Sequence, residues 1–365
     1  LTGHAFTVFV LLASSLMAAA TGSSIGTLLA AMPIFFPAGV ALGADPSMLA
    51  GAVLSGAIFG DNLAPVSDVT VISSDTQRFR DGTPADIAGV VRTRLPYAMT
   101  ALAVSMPVYA FMGASRPVSE AALSGDASAL LMLVPVAVLI AVAVRTRDVL
   151  MAISAGAVTG TATGLLIGRL SFATIFAADD GRLSGFLISG ISNVSPIILL
   201  CVTLFAFTGI VRDAGVPDMM AKALEAGSAG RPSALRTELF LSAATLVVTT
   251  LFAAVTSASV ALVGSLTDDI GRASNVHPYR RSHILSGLAN SLPVLMPFSA
   301  FVLITMAAVS GLEGAAAVTP FTLMTAAFYP IALFLVFGFM VLTGTGRMME
   351  TPEPEAAEAK TATAL

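Results

Sequence analysis

Charge is what this sequence has least of. Of 365 residues only 11% are Asp, Glu, Lys or Arg, while 56% are hydrophobic and the mean hydropathy is +0.90. A soluble domain carries roughly 25% charged residues, so a water-facing surface of this size could not be covered. That excludes a cytosolic enzyme and a disordered protein as first readings. The net charge of −4 leaves no basic footprint for nucleic acid. Cysteine is limited to Cys201, which excludes a disulfide framework and a cysteine-cluster metal site. Tryptophan is absent and histidine occurs three times. The chain begins at Leu1 inside an apolar stretch, with neither Met nor a charged leader, and is expected to be a fragment lacking N-terminal segments.

What remains is long apolar runs separated by short polar loops, the pattern of an all-α polytopic membrane protein. The expected spans are 5–42 (interrupted at Thr21-Gly22-Ser23-Ser24), 48–74, 96–113, 128–144, 149–168, 193–211, 239–266 (interrupted near Thr256), 284–310 and 321–342. Placing the loop 75–95 in the cytoplasm puts Arg92, Arg94, Arg280 and Arg281 there with most other basic residues. Only Arg116, Arg169 and Arg182 fall on the far side. On this count no basic residue lies deep in a span. The tail 347–365, rich in Pro and Glu, is expected to be a disordered cytoplasmic end.

Two acids do fall within a span. Asp61 and Asp68 lie in 48–74, roughly 40 Å long if fully helical, with Asp61 at its middle. A charge at the bilayer centre costs about 2.5–3.5 kcal/mol on insertion scales, so the pair reads as an ion or proton site facing the protein interior, binding Na+. The alternative is a structural acid held by backbone donors. Between them, Pro65 predicts a break in the helix, with Asn62 as N-cap of a second half-helix. Such breaks free carbonyls and half-helix ends that can coordinate a cation.

The pattern recurs. Leu54-Ser55-Gly56 precedes Asn62-Leu63-Ala64-Pro65-Val66, and Leu285-Ser286-Gly287 precedes Asn290-Ser291-Leu292-Pro293-Val294. Each copy follows a hydroxyl-rich interruption: Thr21, Ser23 and Ser24 in the first, Thr256 and Ser257 in the second. This predicts two inverted-topology repeats meeting at the bilayer midplane. Residues 1–95 form the first repeat core and 96–235 the connecting helices. Residues 236–346 form the second core, broken within 284–310. The first copy supplies charge; the second supplies neutral oxygens from Asn290, Ser291 and Ser299. The interruptions add hydroxyl ligands or serve close helix packing. His277 and His283 are placed in or beside a cytoplasmic loop, and Asp268 and Asp269 on a solvated face.

At residues 51–74, GAVLSGAIFGDNLAPVSDVTVISS, the chain resembles the NhaC-type sodium/proton antiporters of the ion transporter superfamily. TGSSIGT at 21–27 fits the same family, and the similarity continues at NVSPIILL, TSAS and HILSGLANSLPV. The resemblance implies a plasma-membrane secondary transporter exchanging sodium for protons, with relatives that exchange organic acids such as malate and lactate. It implies no cofactor; the partners are Na+, H+ and the lipid bilayer, and a homodimer is left open. Asp61 and Asp68 are then the ion-binding acids, with Asn62, Ser67 and Thr70 beside them. Val69 departs from the family's second threonine at that place.

A mechanism follows from competition. Protonated Asp61 is neutral and tolerates a low-dielectric site, whereas ionised Asp61 needs a cation, and alternating access then exchanges the two. An organic-acid exchanger is the rival within transport, disfavoured by the expected lack of a midplane Arg or Lys. An intramembrane aspartyl protease is remote: Ile58 stands where its GxGD motif needs a glycine.

Overall fold

The computed structural model describes residues 2–114, residue 131, residues 133–168, 170–175, 177–179, 182–184 and 233–350, and isolated positions from 188 to 215. Cys201, Arg116, Arg169, most of the expected span 193–211 and the tail from 351 lie outside the described residues.

Local chemistry sets each helix end. Thr2 caps α1 (Gly3–Thr21), which stops where Gly22 adopts a left-handed φ of 68°. Ser23 then caps α2 (Ser24–Ala41), accepting from the Gly26 N–H at 3.0 Å. The interruption at 21–24 is therefore a C-cap and an N-cap back to back. Asp45 caps α3 (Pro46–Leu63). Ala64, held extended ahead of Pro65, ends it. Ser67 is the N-cap of α4 (Asp68–Asp75). The expected break is present, but Asn62 does not cap the second half. It lies inside α3, because proline forbids helix at the residue just before it and not three residues earlier.

Asp86 starts α5 (Ile87–Met112), ahead of the expected 96. α6 (Leu133–Thr146) and α7 (Val149–Leu166) pack against each other. A short helical turn, Phe172–Ile175, and a two-stranded antiparallel hairpin, Ala177–Asp179 with Arg182–Ser184, follow. The hairpin is the one departure from all-α structure among the described residues. α8 (Ala234–Leu251) and α9 (Thr256–Ala273) are separated by a turn in which Ala253 and Ala254 take φ of 50° and 58°. α10 (Pro278–Ala289) passes through a 3-10 turn, Leu292–Leu295, into α11 (Ala300–Val309) with a 50° bend.

The expected continuous span 321–342 is instead α12 (Pro320–Ala326) and α13 (Phe328–Thr343), bent by 55°. Pro330 has no N–H to offer the Ala326 carbonyl four residues back. The Tyr109 hydroxyl donates to that carbonyl instead, at 2.7 Å.

Among the described residues, five segments are long and apolar enough to cross a bilayer, or up to seven if each bent pair is one span. Large apolar side chains such as Phe111, Leu150 and Leu166 are exposed, which suits lipid and not water.

Packing brings the breaks together. α3 lies so close to α1 that a Cβ on Gly60 would sit 2.4 Å from Ala19 N and from Ser15 O. A Cβ on Gly22 would come within 2.8 Å of Val66 and 2.9 Å of Ser67 N. The end of α1 therefore presses on the linker 64–67. Beyond that linker, Val69 of α4 joins a separate apolar cluster with Val248, Phe252, Val260 and Leu285. The first broken helix thus starts in one packing group and ends in another.

Candidate ion-binding site

Asp61 occupies the last turn of α3 and is 2% exposed. Its Oδ2 accepts from the Ser24 hydroxyl at 3.1 Å. The hydroxyl of buried Ser67 faces the same carboxylate, and neither it nor Oδ1 makes a well-aligned hydrogen bond to any other described residue. Two further buried hydroxyls without a partner, Ser14 and Thr27, lie on α1 and α2. Buried polar atoms are rarely left unpaired, and the oxygens gathered on Asp61 itself are those of Ser24 and Ser67. The donor set is all oxygen, as a hard cation requires.

The helix break makes the rest of the site. Pro65 deprives the Asp61 carbonyl of its helical N–H, and the bend does the same for the Asn62 carbonyl. Arg94 of α5 takes up the latter: its Nη1 donates to Asn62 O at 2.8 Å, to Ser286 Oγ at 2.8 Å and to Thr70 Oγ1 at 3.4 Å. Its Nη2 donates to Ser282 Oγ at 3.3 Å and Ser73 Oγ at 3.4 Å. The Asn62 side chain accepts from Ser286 and donates to the Tyr329 hydroxyl, both at 3.3 Å. Arg94, Asn62, Thr70, Ser73, Ser282 and Ser286 are all buried.

The residues singled out in the sequence therefore divide. Asp61, Ser67 and Ser24 meet at one point; Asn62 and Thr70 are drawn into the arginine's cage instead. Asp68 is exposed at the start of α4 and accepts a hydrogen bond from Ser257. That contact joins the two breaks, but Asp68 is not sheltered as Asp61 is. Thr21 bonds back to Met17 O, and Ser23 serves as a helix cap. Thr256 is buried at the first position of α9. Ser291 bonds to Leu288 O at 2.7 Å. Asn290 donates to Ser286 O at 3.2 Å and keeps an unpartnered Oδ1. Ser299 caps α11.

Three basic residues assigned to cytoplasmic loops are fully buried: Arg94, Arg280 and Arg281. Arg280 pairs with Glu238 at 2.9 Å, and Arg281 with Asp268 at 3.1 Å. Asp268, expected on a solvated face, is buried with that partner. His283 is buried as well, its Nε2 lying 2.9 Å from Thr93 Oγ1. The sequence did hold a signal for Arg94. Val90, Arg94, Ala98, Ala101, Ser105 and Tyr109 recur at helical spacing along the buried face of α5. Reading 75–95 as loop hid it.

Residues 2–114, which carry α1 to α5 and the whole Asp61 break, match the family model of the Na+/H+ antiporter family. A malate-2H(+)/Na(+)-lactate antiporter of Bacillus subtilis is 34% identical over 108 residues, covering 30% of this chain and 22% of the relative. The Na(+)/H(+) antiporter NhaC of Alkalihalophilus pseudofirmus is 46% identical over 68 residues, 18% of this chain and 14% of the relative. The chain thus spans less than a quarter of these curated relatives. Among solved structures, the YdaH transporter of Alcanivorax borkumensis covers 93% of this chain and 85% of its own, at 12% identity and a TM-score of 0.37. The match of residues 2–114 to an antiporter family model points to a transporter and away from the aspartyl protease reading.

Proposed function

We propose that this chain carries out sodium/proton exchange across the plasma membrane by alternating access, with Na+ and H+ competing for Asp61. The observation that carries this is a buried carboxylate at a break between two helices, with the Ser24 and Ser67 hydroxyls gathered on it. A carboxylate so placed is stable only when a proton or a cation neutralises it. Na+ would be held by Asp61 Oδ1, the Ser67 hydroxyl and the Ser24 hydroxyl. A proton on Asp61 would remove the charge that binds it. In this reading the two broken segments are inverted repeats, the C-terminus is cytoplasmic, and Asp68 with Ser257 lies on the route to the site.

The test is proton flux in everted vesicles expressing the chain. Asp61→Asn is expected to abolish sodium-dependent exchange. Exchange retained in a well-folded Asp61→Asn protein would remove Asp61 from its role.

One observation favours a second reading, a sodium- or proton-coupled organic-acid exchanger. Arg94 puts a buried positive charge next to the break, where the sequence had been read as offering none. The name of the Bacillus subtilis relative agrees with this alternative. Proteoliposomes under a pH gradient, offered Na+, Li+, K+ and small carboxylates in turn, separate the two. Exchange driven by Na+ alone supports the first; a strict need for a carboxylate supports the second.

A further inference from the structure

Among the described residues three arginines are fully buried, and two of them sit on a carboxylate: Arg280 on Glu238 and Arg281 on Asp268. Arg94 forms no ion pair. Its bonds go to a backbone carbonyl and four hydroxyls, supplied by α3, α4 and α10. A buried guanidinium surrounded only by neutral oxygens is costly unless a negative charge lies within electrostatic reach. The buried carboxylate nearest to it along the chain is Asp61, whose neighbour Asn62 is bonded to Arg94 at its carbonyl. Asp61 in turn has a hydroxyl for a partner and no cation in contact.

We propose that Arg94 is the resident counter-cation of Asp61, held at a fixed distance by the serine and threonine cage, and that it sets the cation affinity of the site. Contact between the two charges would quench Asp61 and shut out Na+. Separation by the Asn62 peptide leaves Oδ1 free yet keeps the pair neutral when no ion is bound. Na+ then binds against a standing positive potential, which weakens its hold and lets it leave. Arg94 is a positioning residue and not an ion ligand. The proposal rests on Asp61 being the ion-binding carboxylate.

The readout is the Na+ concentration giving half-maximal thermal stabilisation of the purified chain in detergent, which requires no transport. Arg94→Gln removes the charge and is expected to lower that concentration about tenfold, as expected for one charge a short distance away at intermediate dielectric. Arg94→Lys keeps the charge with fewer bonds and is expected to keep the wild-type value. A purely structural role would instead lower the melting temperature in both variants and leave the Na+ midpoint unchanged, which would overturn the proposal. Should Arg94→Gln be too unstable to purify, the double variant Asp61→Asn/Arg94→Gln decides. A double variant that purifies and melts no lower than Asp61→Asn alone supports the proposal, and one as unstable as Arg94→Gln overturns it. If Asp61→Asn still exchanges sodium for protons, both this proposal and the functional reading fail. If it does not, an unchanged midpoint in Arg94→Gln defeats the proposal alone.

Discussion

Asp86 is exposed at the start of α5, and its chemistry is local. It caps α5 by accepting from the Gly89 N–H at 2.6 Å, and it also accepts from the Tyr279 hydroxyl. The Tyr279 bond first, and the Gly89 bond second, hold its carboxyl below the usual carboxylate range. A depressed value means that the ionised form favours the folded state. The stabilisation is therefore present above the ordinary pKa of 3.8 and is lost as pH falls through the lower folded value. Because the residue is exposed, solvent discounts the effect. Asp86→Ala is expected to cost about 1 kcal/mol at neutral pH, with the gap to wild type closing in strong acid. Thermal melts at pH 7 and pH 3 check this. His277 is a second local case: it caps α10 through Nδ1 at 3.2 Å, and burial pushes its pKa down.

At the scale of elements, the site depends on how closely α3 approaches α1. Gly56 and Gly60 face α1, where added Cβ atoms would meet Leu11 O and Ser15 O at 2.4 Å each. Backbone atoms cannot yield as a flexible side chain can. Gly60→Ala is therefore expected to push α3 away, at a cost of about 1–3 kcal/mol, and to weaken the Ser24–Asp61 contact. Detergent melts together with the Na+ midpoint check it; a melt and midpoint equal to wild type would refute the packing argument. The ends of these helices were legible in the sequence because caps and prolines act within four residues. Gly22, Ser23 and Pro65 mark breaks that the fold contains. The break at Ala327 was equally available from Pro330, but the apolar run around it masked the signal.

Across the whole molecule, ion pairs tie distant segments at one end. Glu238, fully buried, accepts from Arg280 and Arg347, two residues 67 positions apart. Residues 347–350, expected as the start of a free tail, are bonded in: Glu350 accepts from Arg80 N at 2.7 Å, and His277 N donates to Met348 O. Removing the shared carboxylate leaves two cations without their anion. Glu238→Ala is expected to cost about 3–5 kcal/mol, read as a large drop in melting temperature. A loss near that of a surface pair, about 1 kcal/mol or less, would contradict the buried assignment.

Composition, turn residues and periodicity by themselves determined that this chain is a helical membrane protein, where four of its breaks fall, and that Asp61 is out of place in a bilayer. These properties are local or averaged along the chain, so one sequence is enough to read them. Only the tertiary structure decided that Asp68 is exposed while Asp61 is buried, and that Thr70 and Asn62 serve Arg94. It alone placed Arg94, Arg280 and Arg281 inside. A charge can be buried only with its partners, and here those partners come from helices up to about two hundred residues away. No window of sequence contains both halves of such a pair.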